Sequence, residues 1–427
     1  MKLNYSETTL DNGVRVISAH MPQVQSAAMG IWVGVGGRYE PARLSGASHF
    51  IEHLLFKGTK KRTARDISQA IEGRGGYFNA FTQEEATCYY ARVAASHMPK
   101  VCEILADMYR NARFAPRDIE KERGVIIEEI MMYRDQPEHL VQDALGQILW
   151  VNHPVGRPLI GNLKTLTRMT REHLLDFKEN KYVAVNTYAA YAGNVDHGRC
   201  VRLTESLLGG LNGGKQPRFR AVTPETEQRR SSFIQKEIEQ THLAMGFRLF
   251  GRQDPRRFTL KLLSVILGEN MSSRLFQTVR EQHGLAYSIH SGVHLFRDTG
   301  AFVISAGLER KRTDKAITLI MRELCRIKER RVGTHELRRA KDYAIGQLMI
   351  SLENTISQMM WIGDYNIGQG KYVHPEDIIR QIERVTEKDI ARLAGEVLGS
   401  ENASTAMISA DDTARYEDIV HEQMTRL

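Results

Sequence analysis

Two histidines four residues apart, with a glutamate immediately before the second, stand in the run His49-Phe50-Ile51-Glu52-His53. On a helix, His49 and His53 project from one face, a spacing at which two imidazoles can share a zinc ion. Glu52 lies on the same side, placed to take a proton from a metal-bound water. The order H-x-x-E-H reverses the commoner H-E-x-x-H and points to the same hydrolytic chemistry. A catalytic zinc also requires a third protein ligand and one open position.

The elements that must position these groups can be read from periodicity. A helix over 45–57, stopped by Gly58, puts Phe50, Ile51, Leu54 and Leu55 on an apolar face and the polar trio beside it. Buried His and Glu side chains need partners, because desolvation is costly. The third ligand is expected from a helix over 117–133. At about 100° per residue, Glu122, Ile126, Glu129, Ile130 and Tyr133 share a stripe there, while Glu128 points away. Carboxylates inside an apolar stripe call for a charged partner. Glu129 is therefore chosen as ligand over Glu128, with Glu122 orienting a histidine ligand. Strands are expected at 7–10, 14–18, 27–35, 77–82 and 86–93, and further helices at 64–74, 99–111 and 272–284.

The chain has 427 residues, enough for two domains. A Gly-rich stretch, Leu208-Gly209-Gly210-Leu211-Asn212-Gly213-Gly214, and the polar sequence after it mark a boundary. The expected division is a zinc-binding domain over 1–214, a linker over 215–230 and a second domain over 231–427. The halves also rhyme: Ala28-Met29-Gly30-Ile31 returns as Ala244-Met245-Gly246-Phe247. We read a duplicated α+β unit, each copy a mainly antiparallel sheet packed with helices. The second copy's equivalent of the motif helix, 258–268, contains no histidine.

The net charge is +8, but the basic tracts are interleaved with acids and apolar residues and read as solvated helix faces, so no nucleic-acid partner is expected. No apolar run is long enough for a membrane span, and residues 1–10 lack the apolar core of a signal peptide. Cys88, Cys102, Cys200 and Cys325 have neither metal nor disulfide spacing and fit a reducing compartment, the cytoplasm.

With the His49–His53 motif, the Glu122 and Glu129 helix and two equivalent halves, the chain resembles the pitrilysin family of inverted-zincin metallopeptidases. It resembles in particular the small branch with the catalytic subunit of mitochondrial processing peptidase and its bacterial relatives. The resemblance implies a zinc endopeptidase for short or unfolded peptides. His49, His53 and Glu129 would bind Zn2+, Glu52 would activate the water, and Glu122 would support the site. It further implies that Asn79 and Ala80 line the site and pair with substrate backbone. Tyr287 would stabilise the tetrahedral intermediate, and Arg280 would engage a substrate carbonyl. A homodimer enclosing a peptide-sized chamber is expected, a heterodimer with a related subunit being the other assembly. The alternative function is a noncatalytic peptide-binding or assembly subunit.

Overall fold

In β3 (Ser26–Val33) every residue after the first is buried, which places it inside a sheet rather than at an edge. The structure, a computed structural model, describes residues 4–425. β3 joins β1 (Asn4–Thr9), β2 (Arg15–His20), β4 (Tyr77–Thr82), β5 (Thr87–Ala94) and β6 (Thr187–Gly193) in the order β1-β2-β6-β3-β5-β4. Only β2 and β6 pair in parallel; the other neighbours are antiparallel. Strand alternation divides β3 between two cores. Met29, Ile31 and Val33 pack with Phe50, Ile51, Leu54 and Leu55. Ala28 and Trp32 pack with Met359 and Ile362 on the other face.

The second sheet contains β7 (Ser231–Gln235), β8 (Gln240–Leu249), β9 (Ala286–Leu295), β10 (Gly300–Glu309) and β11 (Ala403–Ser409), in the order β7-β11-β8-β10-β9. The chain thus forms two α+β units, and neither is continuous in sequence. One comprises Met1–Met131, Arg157–Arg220 and Ile350–Val373; the other comprises Met132–Gly156, Ala221–Met349 and His374–Leu427. Each unit covers one face of its sheet with a helix from the far half of the chain. Thr355–Gln369 lies on β2, β3 and β6, and Pro137–Leu149 lies on β8 and β11.

This arrangement explains the repeated glycine. A Cβ on Gly30 would stand 2.4 Å from the Met359 sulfur, and one on Gly246 would stand 2.9 Å from Leu149 Cδ1. Both central strands therefore leave room for the covering helix. The observed elements lie close to the expected ones, with one difference in kind. Phe276–Gln282 winds as a π-helix rather than an α-helix. The wider turn keeps Leu275, Phe276 and Val279 buried and carries the Arg280 guanidinium over the Phe276 ring, 4.8 Å from its centroid.

The closest approach under a covering helix is at Gly363, where a Cβ would lie 2.3 Å from the Trp32 indole, itself only 2% exposed. Gly363→Ala is expected to destabilise the protein by roughly 1–3 kcal/mol through overpacking. Gly395, also helical but with open space at its Cβ position, is the control. Gly395→Ala should leave the urea midpoint unchanged or raise it.

Candidate metal centre

The helix carrying the histidines, Ala47–Leu55, starts on Gly46 at φ +96°, a left-handed conformation that favours glycine. A Cβ there would also meet the Ile160 carbonyl at 2.7 Å. No side chain of the N-cap closes this end. Instead both carboxylate oxygens of buried Glu40 accept backbone N–H bonds, from Gly46 and Ser48, each at 2.7 Å. A carboxylate suits the positive end of the helix. Burial nonetheless pushes the Glu40 carboxyl up to about 7, against these donors and the charge of Arg157.

Phe50, Ile51, Leu54 and Leu55 bury the inner face, while His49, Glu52 and His53 are only partly covered. The helix Pro116–Arg134 brings the carboxylates. Ile119, Glu122, Ile126 and Ile130 are buried on its inner stripe, Glu129 is half-buried beside it and Glu128 is exposed. The Nε2 atoms of His49 and His53 stand 3.9 and 3.7 Å from Glu129 Oε2. These separations exceed hydrogen-bond range. They are close to the edges of roughly 3.3–3.5 Å expected between ligands at about 2.0–2.2 Å from one tetrahedral zinc. One ligand atom from each of His49, His53 and Glu129 lies within 4.8 Å of the others, the only such group among the described residues. The donor set, two imidazoles and a carboxylate, fits zinc.

The surroundings hold these groups in place. His53 Nδ1 meets Glu122 Oε2 at 3.2 Å, which leaves Nε2 directed at Glu129. Lys57 Nζ lies 2.8 Å from the other oxygen of Glu122, so this buried carboxylate is shared between a cation and an imidazole. Burial, and then the neighbouring His53, lower the His49 pKa to about 4, so its ring is neutral at pH 7. Burial raises the Glu52 carboxyl above the usual glutamate range, opposed by a hydrogen bond from Thr82. That bond, Thr82 Oγ1 to Glu52 Oε2, measures 2.6 Å.

Ala80 and Thr82 share the face of β4 that meets the motif helix, whereas Asn79 sits on the opposite face with Tyr77. The Asn79 carboxamide donates to the Tyr77 hydroxyl at 2.9 Å and accepts the Ala80 N–H at 2.8 Å. Arg280 and Tyr287 lie in the other unit and are brought together there. The guanidinium is 5.9 Å from the phenol ring centroid, and Tyr287 is 74% exposed. Sequence reasoning missed Glu40, Lys57 and Thr82. Lys57 stands one turn beyond His53 and Thr82 two residues beyond Ala80, so spacing could have found both; no local pattern marks Glu40.

Residues 15–163 match the family model described as insulinase (peptidase family M16), and residues 168–343 match that of the peptidase M16 inactive domain. An uncharacterized zinc protease of Mycobacterium leprae is 40% identical over 92% of this chain and 88% of its own. The zinc protease YmxG of Bacillus subtilis is 34% identical over 94% of this chain and 97% of its own. A protease from Helicobacter pylori of known crystal structure has the same fold, with a TM-score of 0.86 at 22% identity, covering 95% of this chain and 99% of that one.

The depressed His49 pKa has a consequence for the metal-free protein. Between pH 6.5 and about 4 the unfolded chain binds a proton that the folded site refuses, so this contribution to stability is present above pH 6.5 and is lost as pH falls toward 4. Urea unfolding of chelator-treated protein should show a loss on the order of 2 kcal/mol between pH 7 and pH 5 from this group. His49→Gln should remove that part of the pH dependence.

Proposed function

This chain belongs to the insulinase family of peptidases, family M16, and from that premise we propose that it is a zinc-dependent endopeptidase cutting short or unfolded peptides. The observation that carries the reading is the convergence of His49 Nε2, His53 Nε2 and Glu129 Oε2 beside the half-buried carboxyl of Glu52. His49, His53 and Glu129 would hold the ion, and Glu122 would fix the ring of His53. When bound, zinc supplies a Lewis acid that acidifies water and polarises a carbonyl. Glu52 takes the proton of the attacking water and returns it to the leaving amine.

Substrate is held by backbone pairing. β4 is an edge strand of its sheet, and an extended peptide can join such an edge. The Ala80 N–H is bonded to the Asn79 side chain, which supports its pointing away from β5. A substrate carbonyl would take over that donor. Arg280 and Tyr287 carry the donors that a developing oxyanion needs, a guanidinium and an exposed phenol held together. Cys88, Cys102 and Cys200 are buried and Cys325 is half-buried, and their lack of disulfide spacing supports a reducing compartment, the cytoplasm. No helix among the described residues is long and apolar enough to cross a membrane.

The purified protein should carry about one zinc per chain. His53→Ala should lose the metal, and Glu52→Gln should keep it while peptide hydrolysis falls by roughly a hundredfold or more. Tyr287→Phe should lower kcat with zinc retained. Digestion of a mixed peptide library, with and without chelator and read by mass spectrometry, checks all of this. Hydrolysis at an undiminished rate by Glu52→Gln or by metal-free protein would sink the proposal. A protein that binds peptides and cleaves none would be the noncatalytic subunit instead.

A further inference from the structure

Glu52 is anchored from outside its own helix, and the anchor is a single hydroxyl. Thr82 Oγ1 donates to Glu52 Oε2 at 2.6 Å. Thr82 is the last residue of β4, opposite Thr87 at the end of the β4–β5 hairpin. The turn beyond it is closed by Gln83 N–H to the Ala86 carbonyl at 2.8 Å. A hairpin tip is normally among the more mobile parts of a sheet. Here it is gripped.

The grip comes from residues 36–40. Gly37 N–H donates to the Gln83 carbonyl at 3.1 Å and Arg38 N–H to the Glu84 carbonyl at 2.8 Å. Arg38, 1% exposed, forms an ion pair with Glu85 at 2.6 Å. Gly36 is needed for the approach, because a Cβ there would fall 1.8 Å from the Gln83 carbonyl oxygen. Two residues beyond Arg38, Glu40 binds the N–H groups of Gly46 and Ser48 that begin the motif helix. One short segment therefore fixes both ends of the Thr82–Glu52 bond, the hairpin that carries the donor and the helix that carries the acceptor.

We propose that Thr82 is the positioning residue for Glu52, its hydroxyl holding the carboxylate in a single orientation within a frame set by residues 36–40. The inference rests on the reading of Glu52 as the proton-transferring group. With Oε2 engaged by Thr82, Oε1 is the oxygen left to take the proton. A β-branched threonine suits the task because its χ1 is stiff, and a site of this kind depends on the groups that lock its reacting side chain. The same strand presents Ala80 to substrate, so a peptide that joins β4 binds to the element that orients the base.

The test uses the full-length zinc-loaded protein and the variants Thr82→Val and Thr82→Ser. Valine keeps the shape and removes only the hydroxyl. It should retain zinc and KM while kcat falls by roughly ten- to a hundredfold; Thr82→Ser should restore most of the loss. A crystal structure of Thr82→Val should show the Glu52 carboxylate displaced, and that of Thr82→Ser should show it in place. Wild-type kcat in Thr82→Val, an unmoved Glu52 in its crystal structure, or loss of zinc from it would each overturn the inference. If the wild-type protein itself cleaves no peptide, the proposed function falls, and the position of Glu52 in the two crystal structures still decides whether Thr82 positions it.

Discussion

The contact between the helices Ala47–Leu55 and Pro116–Arg134 sets the terms for everything around it. Each helix buries an apolar face, and each brings titratable groups to the edge of that face. Two imidazoles and three carboxylates, with Lys57 as a partner of Glu122, are drawn into a space that solvent only partly reaches. Burial pushes His49 toward its neutral form and Glu52 toward its protonated form. Both shifts reduce the buried charge, which is how a protein without a cation accommodates such a cluster. A neutral imidazole is also the form that binds a metal, so the same desolvation leaves His49 in the form a metal would require.

The sequence is informative about this contact because its determinants are local. The faces of the motif helix follow from Phe50, Ile51, Leu54 and Leu55, all buried as their spacing requires. Helical phase separates Glu129 from Glu128, and the structure leaves Glu128 exposed while bringing Glu129 to the histidines. β4 occupies the expected residues, Tyr77–Thr82. Other features depend on chain segments that meet only after folding. Glu40 caps a helix that it precedes without belonging to it, and nothing in residues 36–46 announces the cap. The placement of Pro137–Leu149 on the second sheet, and of Thr355–Gln369 on the first, is likewise a tertiary choice. An amphipathic pattern tells that a helix will be covered and not which sheet will cover it.

The repeated motif illustrates the same limit from the other side. Gly30 and Gly246 could be recognised as equivalent, but their reason emerges only with the helices above them. A small residue at that point of each central strand is a packing requirement imposed by sequence from the opposite half of the chain.

The two units also show what distinguishes a site from a scaffold. In the second unit, Arg257–Leu267 packs against its hairpin much as the motif helix packs against β4. There the polar contacts are made by serines: Ser291 Oγ donates to the Ser264 carbonyl at 2.8 Å and lies 3.2 Å from the Ser264 hydroxyl. That helix buries Leu260, Leu262, Leu263, Val265, Ile266 and Leu267 and places no histidine among them. The second helix after its hairpin, Thr334–Ser351, correspondingly buries Leu337, Ala340 and Ala344 and no carboxylate. Its Glu336 instead meets Arg274 at 2.7 Å in a partly exposed ion pair. Histidines and buried carboxylates are thus both present in one unit and both absent from the corresponding helices of the other. Either set alone would leave buried groups without compensation. Their occurrence together is what a shared cation would require, and among the described residues only the first unit brings together a group that could hold one.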